Sequence, residues 1–156
     1  MTEQNLDHAQ VMVPPPLIFL GYLIGALVVN WVVPFPEPWT FALRIVGGAM
    51  AIAGFFLAGS AISQMRKVHT SPDPRHAVTA LVIGGPYRFT RNPIYLGFLL
   101  IYLGFSMAAG TLWGWLGSPL LIWSVTNSVI QPEEVYLENK FESQYREYRS
   151  HVRRWI

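Results

Sequence analysis

In Gly84-Gly85-Pro86-Tyr87-Arg88-Phe89-Thr90-Arg91-Asn92-Pro93-Ile94-Tyr95-Leu96-Gly97, a basic and aromatic segment turns into an apolar run that continues to Ala109. Asparagine is favoured at helix N-caps and proline at the first helical position, so a helix is predicted to start at Pro93. The first turn of a helix leaves backbone N–H groups without internal partners, and Arg88 and Arg91 stand beside them. That combination suits an anion. Tyr87, Phe89 and Tyr95 add flat apolar surfaces fit for an adenine or a sugar. Cytoplasmic arginines with a tyrosine belt would give the same pattern with no ligand, and the residues alone leave both readings open.

The apolar run is one of four in a chain of 156 residues, a length that fits one domain. Residues 17–33, 41–62, 94–109 and 111–130 are the blocks, and they predict an all-α, polytopic membrane bundle of four spans. Charged residues make up only 13% of the chain against about 25% in soluble domains, which leaves too little polar surface for a water-soluble fold. Crossing hydrocarbon takes about 20 residues. The second and fourth blocks reach that length and the first is near it. The third is short unless its ends lie in protein, which suggests that its first turn lines a cavity. Pro14-Pro15-Pro16 marks the start of the first block, Pro34 to Trp39 is a turn, and Pro119 is expected to kink the fourth block. Gly47 and Ala51, Gly54 and Ala58, Gly104 and Ala108, and Gly110 and Gly114 are small pairs that permit close helix approach.

Orientation follows from the cations. The 63–93 loop holds Arg66, Lys67, Arg75, Arg88 and Arg91, and the tail holds Lys140, Arg146, Arg149, Arg153 and Arg154. Only Arg44 falls elsewhere, so loop, tail and N-terminus are predicted on the cytoplasmic side of an inner membrane. Residues 1–16 form an N-terminal tail that lacks lysine and arginine, the wrong flank for a cleavable signal. From 133 to 156 the apolar positions Leu137, Phe141, Tyr145, Tyr148, Val152 and Trp155 recur at helical spacing. This predicts an amphipathic helix that folds over the cytoplasmic mouth of the bundle, with a helix lying on the membrane surface as the alternative.

Two other groups could carry chemistry. Glu133-Glu134 follows the fourth block directly, where carboxylates could hold an amine, a sulfonium or ribose hydroxyls, or serve only as an acidic helix start. His69 and His76 flank Ser71-Pro72-Asp73-Pro74-Arg75, whose prolines prevent helical ligand spacing, so no metal site is expected. His76 as a general base and His76 as a solvated loop residue both remain open. Cysteine is absent, which excludes a thiolate nucleophile and a disulfide framework.

Taken in order, Leu81-Val82-Ile83-Gly84-Gly85-Pro86-Tyr87, Arg91-Asn92-Pro93-Ile94-Tyr95-Leu96-Gly97, Glu133-Glu134-Val135-Tyr136-Leu137 and the aromatic-basic tail resemble the isoprenylcysteine carboxyl methyltransferase family and its phospholipid methyltransferase relatives. The resemblance covers residues 70–156. It implies S-adenosylmethionine as cofactor, held by Thr79, Ala80, Leu81, Val82, Tyr87, Arg91, Asn92, Pro93, Ile94, Tyr95, Glu133 and Glu134. It also implies an acceptor that enters from the bilayer, with membrane lipids as surroundings and no nucleic acid or metal. Asn92 stands where the family has histidine, and can donate a hydrogen bond but carry no charge. Val129 stands where the prenylcysteine enzymes place an arginine, which points to a different lipophilic acceptor and puts Val129 on the substrate side. No residue is assigned as the catalytic base. A relative of NADPH-dependent sterol-type reductases and a non-catalytic small membrane protein are the alternatives.

Overall fold

The structure is a computed structural model that describes residues 8–9, 11–35 and 39–156. Residues 1–7 and 10 of the expected N-terminal tail, and 36–38 of the expected turn, lie outside the described residues. All regular structure among the described residues is helical, with α1 over Pro15–Val32, α2 over Phe41–Lys67, α3 over Pro93–Ala108, α4 over Trp113–Val125 and α5 over Gln131–His151. A short 3₁₀ turn covers Gly85–Arg88 and a π-helical turn covers Thr126–Ile130. Two helices, α1 and α2, are long and apolar enough to cross a membrane; α3 is a shorter apolar helix. At 16 and 13 residues, α3 and α4 fall below the span length on their own.

Packing centres on α3, which touches α1, α2 and α4. The buried face of α2 is Gly47, Ala51, Gly54, Ala58 and Ala61, a seam of small residues spaced four, three, four and three. It meets the backbone of α3 directly: a Cβ on Gly54 would lie 2.6 Å from the Gly97 carbonyl oxygen, and one on Gly47 would lie 2.8 Å from that of Gly104. The order of those pairs makes the two helices antiparallel. Close approach through small residues replaces the hydrophobic drive that lipid does not supply. Large apolar side chains point outward instead, including Phe41, Phe55, Phe56 and Trp123. An exposed apolar girdle of that extent is what a helix facing hydrocarbon presents.

Antiparallel to α4, α1 is tied to it at both ends. Trp113 Nε1 donates to the Val33 carbonyl at 2.9 Å, and the Tyr22 and Ser124 hydroxyls are 2.7 Å apart. Gly110 serves the turn between α3 and α4. At φ +80° it reverses the chain after α3, with the Thr111 N–H donating to the Ser106 carbonyl at 2.9 Å. Pro119 removes one backbone donor within α4, and the Ser118 hydroxyl donates to the carbonyl left over, that of Trp115, at 2.8 Å.

The end of the fourth block differs from expectation. No break separates it from the tail: α4, the π turn and α5 run on without a loop through Pro132. Pro132 cannot donate to residue 128 and its ring crowds that carbonyl. The π turn absorbs this, with the Gln131 N–H donating to the Thr126 carbonyl five residues back. The tail is also not one straight helix, because Glu142 has φ 43° and ψ −112° and breaks α5 there.

The α2–α3 seam predicts opposite outcomes for one chemical change. Gly48→Ala, on the open side of α2, should leave stability unchanged or raise it by up to about 1 kcal/mol by lowering unfolded-chain entropy. Gly54→Ala should lower it by about 1–3 kcal/mol through backbone overlap with α3. Thermal melts of the two variants in detergent check this.

Candidate functional site

The start of α3 and the end of the chain are held together by backbone. The Arg91 N–H donates to the Arg153 carbonyl at 2.9 Å. The Arg154 carbonyl accepts from the Thr90 hydroxyl at 3.1 Å and from Asn92 Nδ2 at 2.9 Å. Farther along, the Tyr148 hydroxyl donates to the Tyr87 carbonyl at 2.7 Å. The helix break at Glu142 makes this return possible. Asn92 does occupy the N-cap position of α3, but its side chain makes no capping bond and is spent on the tail. The first turn of α3 is therefore uncapped by any side chain.

The two glutamates of the acidic pair have different surroundings, since adjacent helical positions point about 100° apart. Glu134 is buried and gripped by a two-pronged Arg154 fork, Nε to Oε1 at 3.0 Å and Nη2 to Oε2 at 2.6 Å. Arg91 Nη2 lies 3.2 Å from the same Oε1. Glu133 instead accepts from the Tyr95 hydroxyl at 2.9 Å. Burial pushes the Glu133 carboxyl up to about 8, against the Tyr95 hydrogen bond, which lowers it, and with added repulsion from Glu134 and Asp73. That shift favours the neutral carboxyl near neutral pH.

Arg91 has only 10% of its side chain exposed, and its Nε and Nη1 are buried without a hydrogen-bond acceptor. The Tyr145 hydroxyl faces the guanidinium and shares a side-chain hydrogen bond with it, while Nε and Nη1 have no acceptor in hydrogen-bonding geometry. A buried guanidinium with idle donors is costly, so the arrangement calls for an anion.

The remaining wall comes from the loop after α2. Thr70 Oγ1 accepts from the backbone N–H groups of Thr79 at 3.2 Å and Ala80 at 2.9 Å, while the Val78 N–H donates to the Tyr136 hydroxyl at 3.1 Å. These bonds lay Ala80, Leu81 and Val82 along one cavity, together with Tyr87, Arg91, Asn92, Pro93, Ile94, Tyr95, Glu133 and Glu134. Of the residues expected around a cofactor, Thr79 alone is not on that wall; its hydroxyl bonds to the His69 carbonyl at 2.9 Å and braces the loop. Val129, expected on the substrate side, is fully buried in the apolar core and lines neither this cavity nor the apolar groove between α1 and α4. The π turn sets that position inward. His69 and His76 are also off the wall, and Asp73 is taken up by Arg75, with Nε to Oδ1 at 2.9 Å and Nη2 to Oδ2 at 2.7 Å.

Sequence reasoning missed several wall residues: Ala9, Met65, Thr70, Tyr136, Tyr145 and Tyr148. The helical spacing of Tyr145 and Tyr148 was the available signal for those two. Ala9 and Thr70 carried none.

The phospholipid methyltransferase family profile matches residues 42–144. An uncharacterized protein of Haemophilus influenzae is 41% identical over 63 residues, 40% of this chain and 100% of that protein. The protein-S-isoprenylcysteine O-methyltransferase of Schizosaccharomyces pombe is 33% identical over 101 residues. That alignment takes in 64% of this chain and spans 43% of the yeast protein. No solved structure matches.

The Glu133 carboxyl gives this site a pH signature. Between its ordinary value of 4.5 and about 8, the folded chain keeps a proton that the unfolded chain releases, so stability should fall as pH rises through that window and level off above it. Glu133→Gln should remove that part of the slope. Melting temperatures of both proteins from pH 5.5 to 8.5 test this; parallel curves would count against a neutral, half-buried Glu133.

Proposed function

We propose that this chain, which belongs to the phospholipid methyltransferase family, is an integral membrane enzyme that uses S-adenosylmethionine to methylate a lipophilic or small amphiphilic acceptor. Family membership supports a methyltransferase, and the two apolar helices support a membrane location. The observation that carries the cofactor reading is the buried Arg91 guanidinium with two idle donors, in the same cavity as Glu133.

The donor set fits this cofactor. Arg91 Nε and Nη1, with the uncapped start of α3, would take the methionine carboxylate. Glu133 would ionise beside the ammonium or sulfonium, with the Tyr95 hydroxyl holding the carboxylate in place. Tyr87 and loop residues 80–82 offer apolar and backbone surface for the nucleoside. When bound, S-adenosylmethionine supplies an electrophilic methyl group on a sulfonium with a neutral thioether as leaving group. The chain's own share is positioning and exclusion of water, for which the C-terminal strap over the cavity is suited.

In this reading α1 to α4 all cross the bilayer, with α3 and α4 reaching full length through the loop and the π turn. The ten cations of loop and tail lie on the cytoplasmic side, the cofactor enters from there, and the acceptor enters from lipid. The yeast relative's name gives protein S-isoprenylcysteine as its acceptor. For this chain a carboxylate, a thiol or an amine on a lipophilic molecule stays in range, since position 129 lies in the core and not at the cavity.

Calorimetry on the detergent-solubilised chain tests the proposal. Saturable heat is expected with S-adenosylmethionine and S-adenosylhomocysteine and none with NADPH, and Glu133→Ala should weaken both sulfur ligands. Heat with NADPH alone would replace the proposal with a reductase, and silence with all three with a non-catalytic protein.

A further inference from the structure

Three charged groups meet where the tail reaches the cavity: Arg91, Glu134 and Arg154. With one carboxylate between two guanidinium groups, the cluster holds a net charge of one positive unit. The carboxylate is shared unequally. Arg154 takes both oxygens through Nε and Nη2, whereas Arg91 reaches only Oε1, by Nη2, at 3.2 Å. Both glutamate and Arg91 are shielded from water, with 9% and 10% of their side chains exposed.

In such a place a guanidinium and a carboxylate left alone together form a two-pronged pair. A fork from Arg91 onto Glu134 would consume at least one of the two donors, Nε and Nη1, that are now idle. What prevents this is Arg154, already seated on both oxygens of Glu134. Arg154 is in turn held by its own carbonyl, which accepts from Thr90 and Asn92 on either side of Arg91. Nothing else in the tail makes that contact: Arg149 pairs with Glu138 on the outer face at 2.8 Å.

We infer that Arg154 is a positioning residue for ligand binding: by occupying Glu134 it keeps Arg91 open as a receptor for a carboxylate. This rests on the cofactor reading given above and extends it to a residue beyond the stretch matched by the family profile. It also turns Glu134 from a cofactor contact into the counter-ion that two arginines compete for.

Two ligands that differ in the carboxylate separate this role from a structural one. S-adenosylhomocysteine carries the amino-acid carboxylate and ammonium, and 5′-methylthioadenosine has the same nucleoside and sulfur without either. In calorimetry on the full chain, Arg154→Gln should weaken S-adenosylhomocysteine by about tenfold and change 5′-methylthioadenosine by less than about twofold. Adding Glu134→Gln to Arg154→Gln should restore most of the loss, because nothing then captures Arg91. Binding of 5′-methylthioadenosine doubles as the check that the variant is folded; should Arg154→Gln not fold, Arg154→Lys keeps the charge without the fork and should show a smaller loss of the same selectivity. Equal weakening of both ligands would make Arg154 a structural tether and overturn the inference while leaving the cofactor reading intact. No recovery in the double variant would overturn it as well. A wild-type chain that binds neither ligand would remove the cofactor reading itself, and the inference with it.

Discussion

A carboxylate buried beside apolar helices must be matched by cations, and at Glu134 that requirement organises half of the molecule. The Arg154 fork that meets it can form only if the chain doubles back after Glu142. Doubling back lays the last residues along Thr90, Arg91 and Asn92, whose backbone and side-chain donors they satisfy. The same return carries Tyr145 and Tyr148 onto the cavity wall. One ion pair thus couples closure of the cavity to the shape of the tail. The penalty for leaving either partner alone is what makes the coupling strong.

The second organising element is the small-residue seam between α2 and α3. Backbones that touch through glycine and alanine leave no freedom for the helices to slide, so the start of α3 is fixed relative to the end of α2. The loop that follows α2 begins at Val68, and Thr70 knots it within two residues. Rigid helices therefore set the positions of two walls of the site, while the third arrives from the tail.

Much of this was legible from local pattern. Asn92-Pro93 marks a helix start, and the structure begins α3 there. The ordered motifs named residues that do share a cavity. Local pattern was blind where the deciding partner is distant in sequence. Asn92 is a good cap by type, yet a carbonyl 62 residues later claims its amide. Val129 was put on the substrate side by resemblance to the prenylcysteine enzymes, whereas in the structure it lies in the π turn and is buried in the apolar core. Pro132 sits within a continuous helical path because the π turn before it has already given up the bond that the proline would break. Glu142 offered no glycine or proline to announce a positive φ.

The π turn at 126–130 carries one residue more than an α-helical path between the same ends would need. That surplus is taken up inside the turn, so the helices on either side keep their phase although the residue count between them is one too many. Deleting one position here would close the turn into a regular α-helix between the same ends, and Pro132 would then meet the carbonyl four residues back with no wide turn to absorb it. The turn is what lets a proline stand directly before the acidic pair without breaking the helix that aims it.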